Sequence, residues 1–367
     1  MQLFRVVVAL FIALIGHVNA DTVAADGVAC ANVPKKAWLD IAVIIQTSAP
    51  TTVPAIMLDI VSDLSSCLYQ LNIGATGDHN SRVALITYDG RGAVLRHGLT
   101  DKQTFNDVRA SLKEIEAIQS NDTFANMAAG LRLAMTHLNA YPSYRIQAYV
   151  VLAATYDTYA TDYPFQMLNL IKQSGTKVAT IAYTPSNGVF NPKIGQLASP
   201  GLDLSNHKTP QDFGRVISLM NCRCLAGQTQ LVINETIYAE CFTAVPAVAV
   251  SKMITCPNHG KLITAQTRNR YNFITKVLLP SILPNVTSFN VDLVRAGNNN
   301  NWNWDAFSGM IPYDNIPNFD DQPSQADSWG YLAQNQYGEW GLYADDGNSA
   351  ARQYICASRA CDASYKC

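Results

Sequence analysis

An apolar run that passes into a small polar turn is the feature that most constrains the fold of this chain. Residues Leu39–Ile45 are almost all apolar without alternation, and Gln46–Pro50 follow as a short polar turn. Such a run is typical of a strand buried on both faces, as in a parallel sheet covered by helices. Open α/β sheets place their ligands at the carboxyl ends of such strands. The sequence therefore predicts an α/β sheet with a candidate site near residues 46–50.

Strand and helix candidates alternate over residues 38–221, which predicts a doubly wound sheet. Strands are predicted at 40–45, 82–88, 149–153 and 177–183, with an edge hairpin at 93–99. Helices are predicted at 56–71, 104–118, 124–138, 165–174 and 212–220. Residues 222–360 have fewer helical stretches, predicted at 251–256 and 267–279. Asn, Asp, Gly and Pro are frequent in the second half of this region, which favours turns and long loops.

The amino terminus has the pattern of a secretory signal. Arg5 precedes an apolar core at 6–15, and small residues at 18–20 suit cleavage before Asp21. This run is too short and too early to predict a membrane span, and we expect the mature protein to be secreted. Three Asn-x-Thr triplets support secretion as glycosylation sites: Asn121, Asn234 and Asn285. Residues 21–37 are predicted to form an N-terminal segment before the first domain.

Composition excludes some partners and favours disulfides. All nine cysteines follow the signal, and an oxidising compartment favours disulfides over zinc thiolates. The net charge of −2 without a basic run argues against nucleic acid and anionic membranes as main partners. The chain has no nucleophile-elbow, zinc-protease or phosphate-loop motif, and its histidines are scattered as surface or capping residues would be. We therefore expect a protein without enzymatic activity.

The spacing of strands and helices in residues 38–221 resembles the von Willebrand factor A domain. In that family the first strand ends in Asp-x-Ser-x-Ser and holds a divalent cation together with a Thr and an Asp from two further loops. The matching positions here are Gln46, Ser48 and Pro50, then Thr123 and the region of Asp157. Magnesium needs near-octahedral oxygen coordination, which this set supplies badly. We expect a metal-free scaffold, with Ser48, Thr123 and Asp157 as the remnants of a site and Asp89 as a further carboxylate.

Residues 222–360 resemble an α+β C-type lectin-like domain, around Cys256, Gly260–Leu262, Trp302–Trp304, Trp340 and Cys356. Sugar-binding members hold calcium with a Glu-Pro-Asn or Gln-Pro-Asp triplet containing a cis proline, and with an Asn-Asp pair after a Trp. Here the triplet is interpreted as Gln322-Pro323-Ser324, and the pair after Trp340 is replaced by Gly341-Leu342. The resemblance implies a ligand-binding loop formed by Gln322, Pro323, Ser324 and Trp340. Calcium is expected only in a nonstandard site, with Gln322, Ser324, Asp345 and Asp346 as ligands.

The tryptophans of this region have two interpretations. Trp302, Trp304, Trp329 and Trp340 suit either sugar stacking or a core in which each indole N–H needs a partner.

The resemblance also bears on the cysteines. A helical Cys pairs with the final Cys in that family, which implies Cys256–Cys356. The other pairs expected are Cys224–Cys241, Cys30–Cys222, and Cys361–Cys367 in a tail at 361–367. Cys67 remains, either as a buried inert thiol or as a link to a second chain.

The combination of the two domains is similar to secreted nematode C-type lectin proteins, which implies a role in innate immune defence. Three functions remain open at this stage. The first is a recognition or adhesion protein that binds glycans or proteins on extracellular or microbial surfaces. The second is a calcium-dependent lectin with a nonstandard site. The third is a structural, disulfide-linked matrix component that assembles through Cys67 or through its von Willebrand A-like module.

Overall fold

The computed structural model describes residues 25–155, 163–205, 209–257, 259–295 and 301–365. The chain forms two sheets, one parallel and covered by helices, the other mainly antiparallel. The predicted domain boundaries at 37/38, 221/222 and 360/361 stay predictions.

The first sheet is built from five strands in the order β3-β2-β1-β4-β5. Its strands are β1 (Leu39–Gln46), β2 (Arg82–Asp89), β3 (Gly92–His97), β4 (Ile146–Ala153) and β5 (Lys177–Ala182). The central strand β1 runs parallel to β2 and β4, β4 runs parallel to β5, and only the edge strand β3 is antiparallel. This is the doubly wound order predicted for the first half of the chain.

Five helices cover both faces of this sheet. They are α1 (Pro54–Leu68), α2 (Phe105–Glu116), α3 (Met127–Ala140), α4 (Pro164–Gln173) and α5 (Pro210–Asn221). Alternate residues of β1 divide between two apolar cores. Ile41, Val43 and Ile45 pack with α1, α2 and α5, while Ala42 and Ile44 pack with α3 and α4. The uninterrupted apolar run of β1 thus reflects burial on both faces.

The second sheet contains nine strands, of which β7 (Thr236–Ala249) is the longest. The others are β6 (Thr229–Ile233), β8 (Lys261–Leu262), β9 (Ser288–Arg295), β10 (Trp302–Ala306), β11 (Gly309–Pro312), β12 (Trp329–Gln334), β13 (Trp340–Asp345) and β14 (Arg352–Arg359). One helical stretch packs on it, composed of α6 (Arg268–Phe273), a π-helical turn (Ile274–Leu278) and α7 (Leu279–Ile282). Trp304, Phe289 and Leu342 lie at the centre of its core.

The predicted helix at 251–256 is wrong. Only Ser251–Met253 forms a single 3₁₀ turn, and Cys256 lies beyond it in irregular structure. Pro257 accounts for the difference, because a residue that precedes proline is disfavoured in helical conformation. Cys256 therefore reaches its disulfide partner from a loop.

Disulfide bonds join Cys30 to Cys222, Cys224 to Cys241 and Cys256 to Cys356, three of the four pairs expected from the sequence. Cys361 is also disulfide-bonded, and its expected partner Cys367 lies outside the described residues. Two further expectations fall outside them: the signal at 1–20 and the carboxylate of Asp157.

The N-terminal segment packs against β7 of the second sheet and against the start of α6. Ala29 forms a β-bridge with Tyr238 of β7, and the Val28 N–H donates to Glu240. Asp26 accepts hydrogen bonds from Thr267, at the start of α6, and from Asn269. Residues 25–31 thus lie against the second half of the chain before the backbone enters the first sheet.

Candidate functional site

The first candidate site lies where β1 and β4 end, and its centre is the side chain of Gln46. This side chain is fully buried, and its amide nitrogen donates to Ser48 Oγ at 2.6 Å and to Thr155 Oγ1 at 2.8 Å. Its amide oxygen accepts from the backbone N–H groups of Ala154 at 2.8 Å and Thr155 at 2.9 Å. A single amide therefore joins the loop after β1 to the loop after β4.

Further hydrogen bonds fix the loop after β1. The Thr51 hydroxyl donates to the carbonyls of Gln46 and Ser48 at 2.9 and 3.0 Å, respectively. Ala49 N–H donates to the carbonyl of Asp122, which links this loop to the loop before α3. Ser48 and Thr51 are completely buried, so this end of the sheet is a packed hydrogen-bonded structure.

The other remnants of a metal site do not join this group. Thr123 is exposed in the loop before α3, whose N-cap is Asn126. Asp89 is occupied by Arg91, with 2.9 Å between its Oδ2 and the guanidinium Nη2. The described residues hold no cluster of three or more His, Cys, Asp or Glu side chains arranged for a metal ion. Within the described part of the chain, the donors at this position, Gln46, Ser48 and Thr155, are neutral and do not fit a divalent cation.

The expected calcium ligands of the second half are engaged in other contacts. Both oxygens of Asp345 are used, one by Arg352 at 2.7 Å and the other by the N–H of Gly347 at 2.8 Å. Asp346 accepts from the N–H groups of Asn348 and Ser349, and these bonds lower the pKa of its carboxyl group. Ser324 accepts from the N–H of Ala326. Gln322 lines a cavity whose lining residues include none of the other three.

The long loop before β12 contains two prolines of interest, Pro317 and Pro323. The cis peptide bond found among the described residues is Ile316–Pro317, whereas the triplet expected from the sequence is Gln322-Pro323-Ser324. The residue before the cis bond is then an isoleucine, whose side chain has no oxygen, and the residue after Pro317 is Asn318.

The second candidate site is an open cavity of about 860 Å³ beside β9, β10 and this long loop. Gln322 and Pro323, two of the four residues expected in a ligand-binding loop, line it. Ser324 and Trp340 are not among the lining residues. The ring of Trp340 packs edge-on against Phe289 at 5.5 Å and is part of the core.

Side-chain amides and aromatic rings dominate the wall of this cavity, which we call the amide cavity. None of the described residues that line it is acidic. The amides belong to Asn301, Asn303, Asn315, Asn318, Gln322 and Gln325. The rings belong to Trp302, Tyr313 and Phe319, which contact one another with centroid distances of 5.2 Å for the Trp302–Phe319 and Tyr313–Phe319 pairs. Amides supply both donors and acceptors, so this wall suits a ligand rich in hydroxyl groups.

Arg295 is the cationic residue of the wall and holds the long loop in place. Its guanidinium group lies 4.7 Å from the centre of the Trp302 ring and donates to the carbonyls of Ser324 and Gln325. These contacts hold the loop segment that contributes Gln322 and Gln325 to the cavity wall. The sequence shows the Asn-rich composition of this region but does not assign its asparagines to a site, because only the folded loop brings them to one cavity.

Two further sequence interpretations are tested by burial. Trp304 is fully buried and Trp302 is 8% exposed, so both belong mainly to the core. Cys67 is 2% exposed, and burial raises the pKa of its thiol to about 12. Burial therefore favours the inert thiol over a link between chains, since disulfides form from accessible thiolates.

The three sequon asparagines are exposed, as a glycan would require. Asn234 lies at the tip of the β6–β7 hairpin, where it and Glu235 have positive φ angles. None of the helices in the described ranges has the length and apolarity demanded for crossing a bilayer.

Comparison with known proteins gives one sequence relative and several structural neighbours. No protein-family model matches the chain. The chain is 21% identical over 270 residues to C-type lectin domain-containing protein 160 of Caenorhabditis elegans. That alignment covers 70% of this chain and 42% of the relative, so the chain spans less than half of the relative's length.

Among solved structures, the chain is similar to proximal thread matrix protein 1 from the mussel byssus, at 17% identity and a TM-score of 0.41, covering 50% of this chain and 46% of that one. The same mussel protein has been solved with a zinc-occupied MIDAS motif. Manganese-loaded TRAP protein of Plasmodium vivax gives 15% identity and a TM-score of 0.38, covering 47% of this chain and 68% of that one. In sequence, the chain is thus similar over most of its length to a C-type lectin domain-containing protein, and its first sheet has the doubly wound order of a von Willebrand A-like fold.

Proposed function

We propose that the protein is a secreted, non-enzymatic recognition protein that binds glycans in the amide cavity without a bound cation. The observation that carries the proposal is the composition of the cavity wall, six amides and three aromatic rings with no acidic residue among the described ones. Sugar hydroxyls are hydrogen-bonded well by amides, and the apolar faces of sugar rings pack on aromatic side chains, here the partly exposed Tyr313 and Phe319. The sequence similarity to a C-type lectin domain-containing protein supports a lectin-like role.

The charge of the wall distinguishes this proposal from calcium-mediated binding. Calcium takes six to eight oxygen ligands, most of them carboxylates or carbonyls. Asp345 and Asp346, the expected carboxylates, are held by Arg352 and by a backbone turn. Direct hydrogen bonds from Asn318, Asn303 and Gln322 replace the ion in this proposal, with extracellular or microbial surface glycans as targets and defence as the setting.

A glycan array with the full-length secreted protein tests the proposal. We expect binding to a subset of glycans in both calcium and EDTA, and we expect Asn318→Ala and Gln322→Ala to weaken it about tenfold each, as for the loss of a hydrogen bond to a bound ligand. The matched controls are Asn348→Ala and Gln336→Ala, which truncate exposed amides outside the cavity.

Three results would contradict the proposal. Loss of all binding on chelation would favour the calcium-dependent lectin. Binding that is unchanged in both cavity variants would place the site elsewhere. An array without any bound glycan would favour a protein ligand.

A further inference from the structure

The amide of Gln46 has the hydrogen-bond arrangement of a crosslink between loops. Each of its four hydrogen-bonding positions is used, two on nitrogen by Ser48 and Thr155 and two on oxygen by backbone N–H groups. The orientation of the amide is fixed by chemistry, because the N–H groups of Ala154 and Thr155 require an acceptor and only the oxygen supplies one. The crosslink spans residues separated by 109 positions in sequence.

This crosslink uses the oxygens that a metal ion would need. A cation and an N–H donor both bind oxygen lone pairs, and the hydroxyls of Ser48 and Thr155 each use one of two lone pairs to accept from the Gln46 nitrogen, at 2.6 and 2.8 Å. A magnesium ion that bound both hydroxyls at about 2.0–2.1 Å would compete with this nitrogen for them. Pro50, which matches the last Ser of the Asp-x-Ser-x-Ser pattern, has no side-chain oxygen.

Electrostatics act in the same direction. Gln46, Ser48 and Thr155 are neutral, and Asp89, the carboxylate at the end of the neighbouring strand β2, is paired with Arg91. A divalent ion held by Gln46, Ser48 and Thr155 would gain no negative charge from these three side chains to offset its desolvation.

We infer that the Gln46 side-chain amide takes the place of a divalent cation in the first sheet and holds the loops after β1 and β4 together without metal. The carboxyl-end face of this sheet is then assembled in one state irrespective of calcium, magnesium or chelator. Gln46 acts as a positioning residue for the two loops. This inference is independent of the amide cavity and of glycan binding.

The chain offers a matched control for testing it. Gln103 is a second buried glutamine of the same half, 4% exposed, whose oxygen accepts from the N–H of Val83 and whose nitrogen donates to the carbonyls of Val83 and Gly98. It stabilises the opposite part of the sheet and touches neither loop of the Gln46 crosslink. Gln46→Met and Gln103→Met keep the side-chain length and remove the hydrogen bonds.

Hydrogen–deuterium exchange on the full-length protein is the decisive measurement. We expect Gln46→Met to speed amide exchange at Ala154 and Thr155 by on the order of tenfold, and Gln103→Met to leave these two amides unchanged. Thr155→Val removes only the hydroxyl that accepts from the Gln46 nitrogen, and it is the milder variant if Gln46→Met is not secreted. Because the bond from Ala154 N–H to the Gln46 oxygen remains, we expect a smaller acceleration of exchange at Ala154.

Manganese titration followed by electron paramagnetic resonance supplies the second readout. We expect the wild-type protein to bind no manganese at this site. The Ser48→Ala variant identifies the site, because only manganese bound there would be lost from it. Stoichiometric uptake that disappears in Ser48→Ala would overturn the inference, and so would unchanged exchange at Ala154 and Thr155 in both Gln46→Met and Thr155→Val.

Discussion

At the scale of single residues, buried polar side chains in both halves find partners that are distant in sequence. Gln46 is one case, and the Arg270–Glu240 ion pair in the second half is another. The two side chains of this pair lie 2.7 Å apart and are nearly inaccessible, with 2% and 4% exposure. Glu240 also accepts from the N–H of Val28, and Arg270 donates to the carbonyls of Thr264 and Asp26. This pair therefore binds the N-terminal segment to α6 and β7.

Breaking this pair on one side leaves an uncompensated buried charge. We predict that Arg270→Met lowers the free energy of unfolding by about 3–5 kcal/mol, the usual cost of orphaning one member of a buried pair. Urea denaturation followed by tryptophan fluorescence measures this loss. The exposed Arg268→Met, at the start of the same helix, is the control and should change the stability by less than about 0.5 kcal/mol; equal losses would contradict the prediction.

A carboxylate at position 46 should reverse the cation independence of the first sheet. We predict that Gln46→Glu places a carboxylate oxygen beside the hydroxyls of Ser48 and Thr155, where divalent ions are bound well by oxygen. Manganese should then raise the thermal midpoint of Gln46→Glu by several degrees, by mass action on the native state. Wild type and Gln103→Glu should not respond. A variant without any response to manganese would show that the amide is not equivalent to a bound ion.

The thiol of Cys67 is expected to be structural. Cys67→Ser should leave the mobility on non-reducing gels unchanged, because the thiol is 2% exposed and lies among Leu64, Leu68 and other core residues. We predict a loss of stability of about 1–3 kcal/mol from burying a hydroxyl in this apolar environment. Covalent multimers of the wild type that vanish in Cys67→Ser would restore the matrix hypothesis and contradict the structure at this position.

At the scale of elements, two buried histidines join β3 to helices α2 and α3. His97 accepts from the side-chain nitrogen of Gln103 on one ring nitrogen and pairs with Ser111 on the other. His137 accepts from the N–H of Leu99 at 2.9 Å. Burial lowers the pKa of both imidazoles below the usual value near 6.5. The sequence predicts surface or capping roles for the histidines, and the low exposure of this pair, 4% and 8%, corrects that prediction.

The lowered pKa values of His97 and His137 should make the stability of the first half of the chain sensitive to acid. The unfolded chain binds protons at these histidines below pH 6.5 while the folded chain still resists them, so the stability falls as the pH drops from about 6.5 through the lowered pKa values. We predict that His137→Gln, which keeps an acceptor for Leu99, reduces the loss of thermal midpoint between pH 7 and pH 5. His79→Gln, at a partly exposed histidine, should retain the full loss; a full loss in His137→Gln as well would contradict this role.

The strands of the first sheet could be predicted closely from the sequence, because short apolar runs without alternation and bounded by turn residues are typical of strands buried on both faces. The predicted strand at 82–88 is extended by one residue to Asp89, and the predicted helix at 104–118 is found as Phe105–Glu116. The second half was less predictable, because its loops carry no periodicity. The cis bond at Pro317 and the convergence of Asn303, Asn315 and Asn318 depend on how the loop packs on β9 and β10.

The candidate sites show the same division. The absence of a carboxylate at position 46 follows directly from the sequence. The amide crosslink to Thr155 does not, since its partner is more than a hundred residues away and is recognised only through the parallel pairing of β1 with β4.

At the scale of the whole molecule, covalent and noncovalent contacts connect the two halves. The Cys30–Cys222 disulfide joins the N-terminal segment to the residue after α5, across 192 positions. Lys177 at the start of β5 donates to the carbonyls of Leu219 and Cys222, which holds this junction against the first sheet. The parallel sheet thus has a fixed attachment to the sheet that carries the amide cavity.

Neither the amide cavity nor the first sheet with its Gln46 crosslink is proposed to need a divalent cation. Glycan binding by the amide cavity is the central claim. The most direct test is the affinity of the full-length protein for its best glycan from the array, measured by biolayer interferometry in calcium and magnesium and again in EDTA. We predict a ratio of dissociation constants of about one, because the amide cavity is proposed to bind glycans without an ion. A loss of affinity of about a hundredfold or more in EDTA, equivalent to about 2.7 kcal/mol, would contradict this claim.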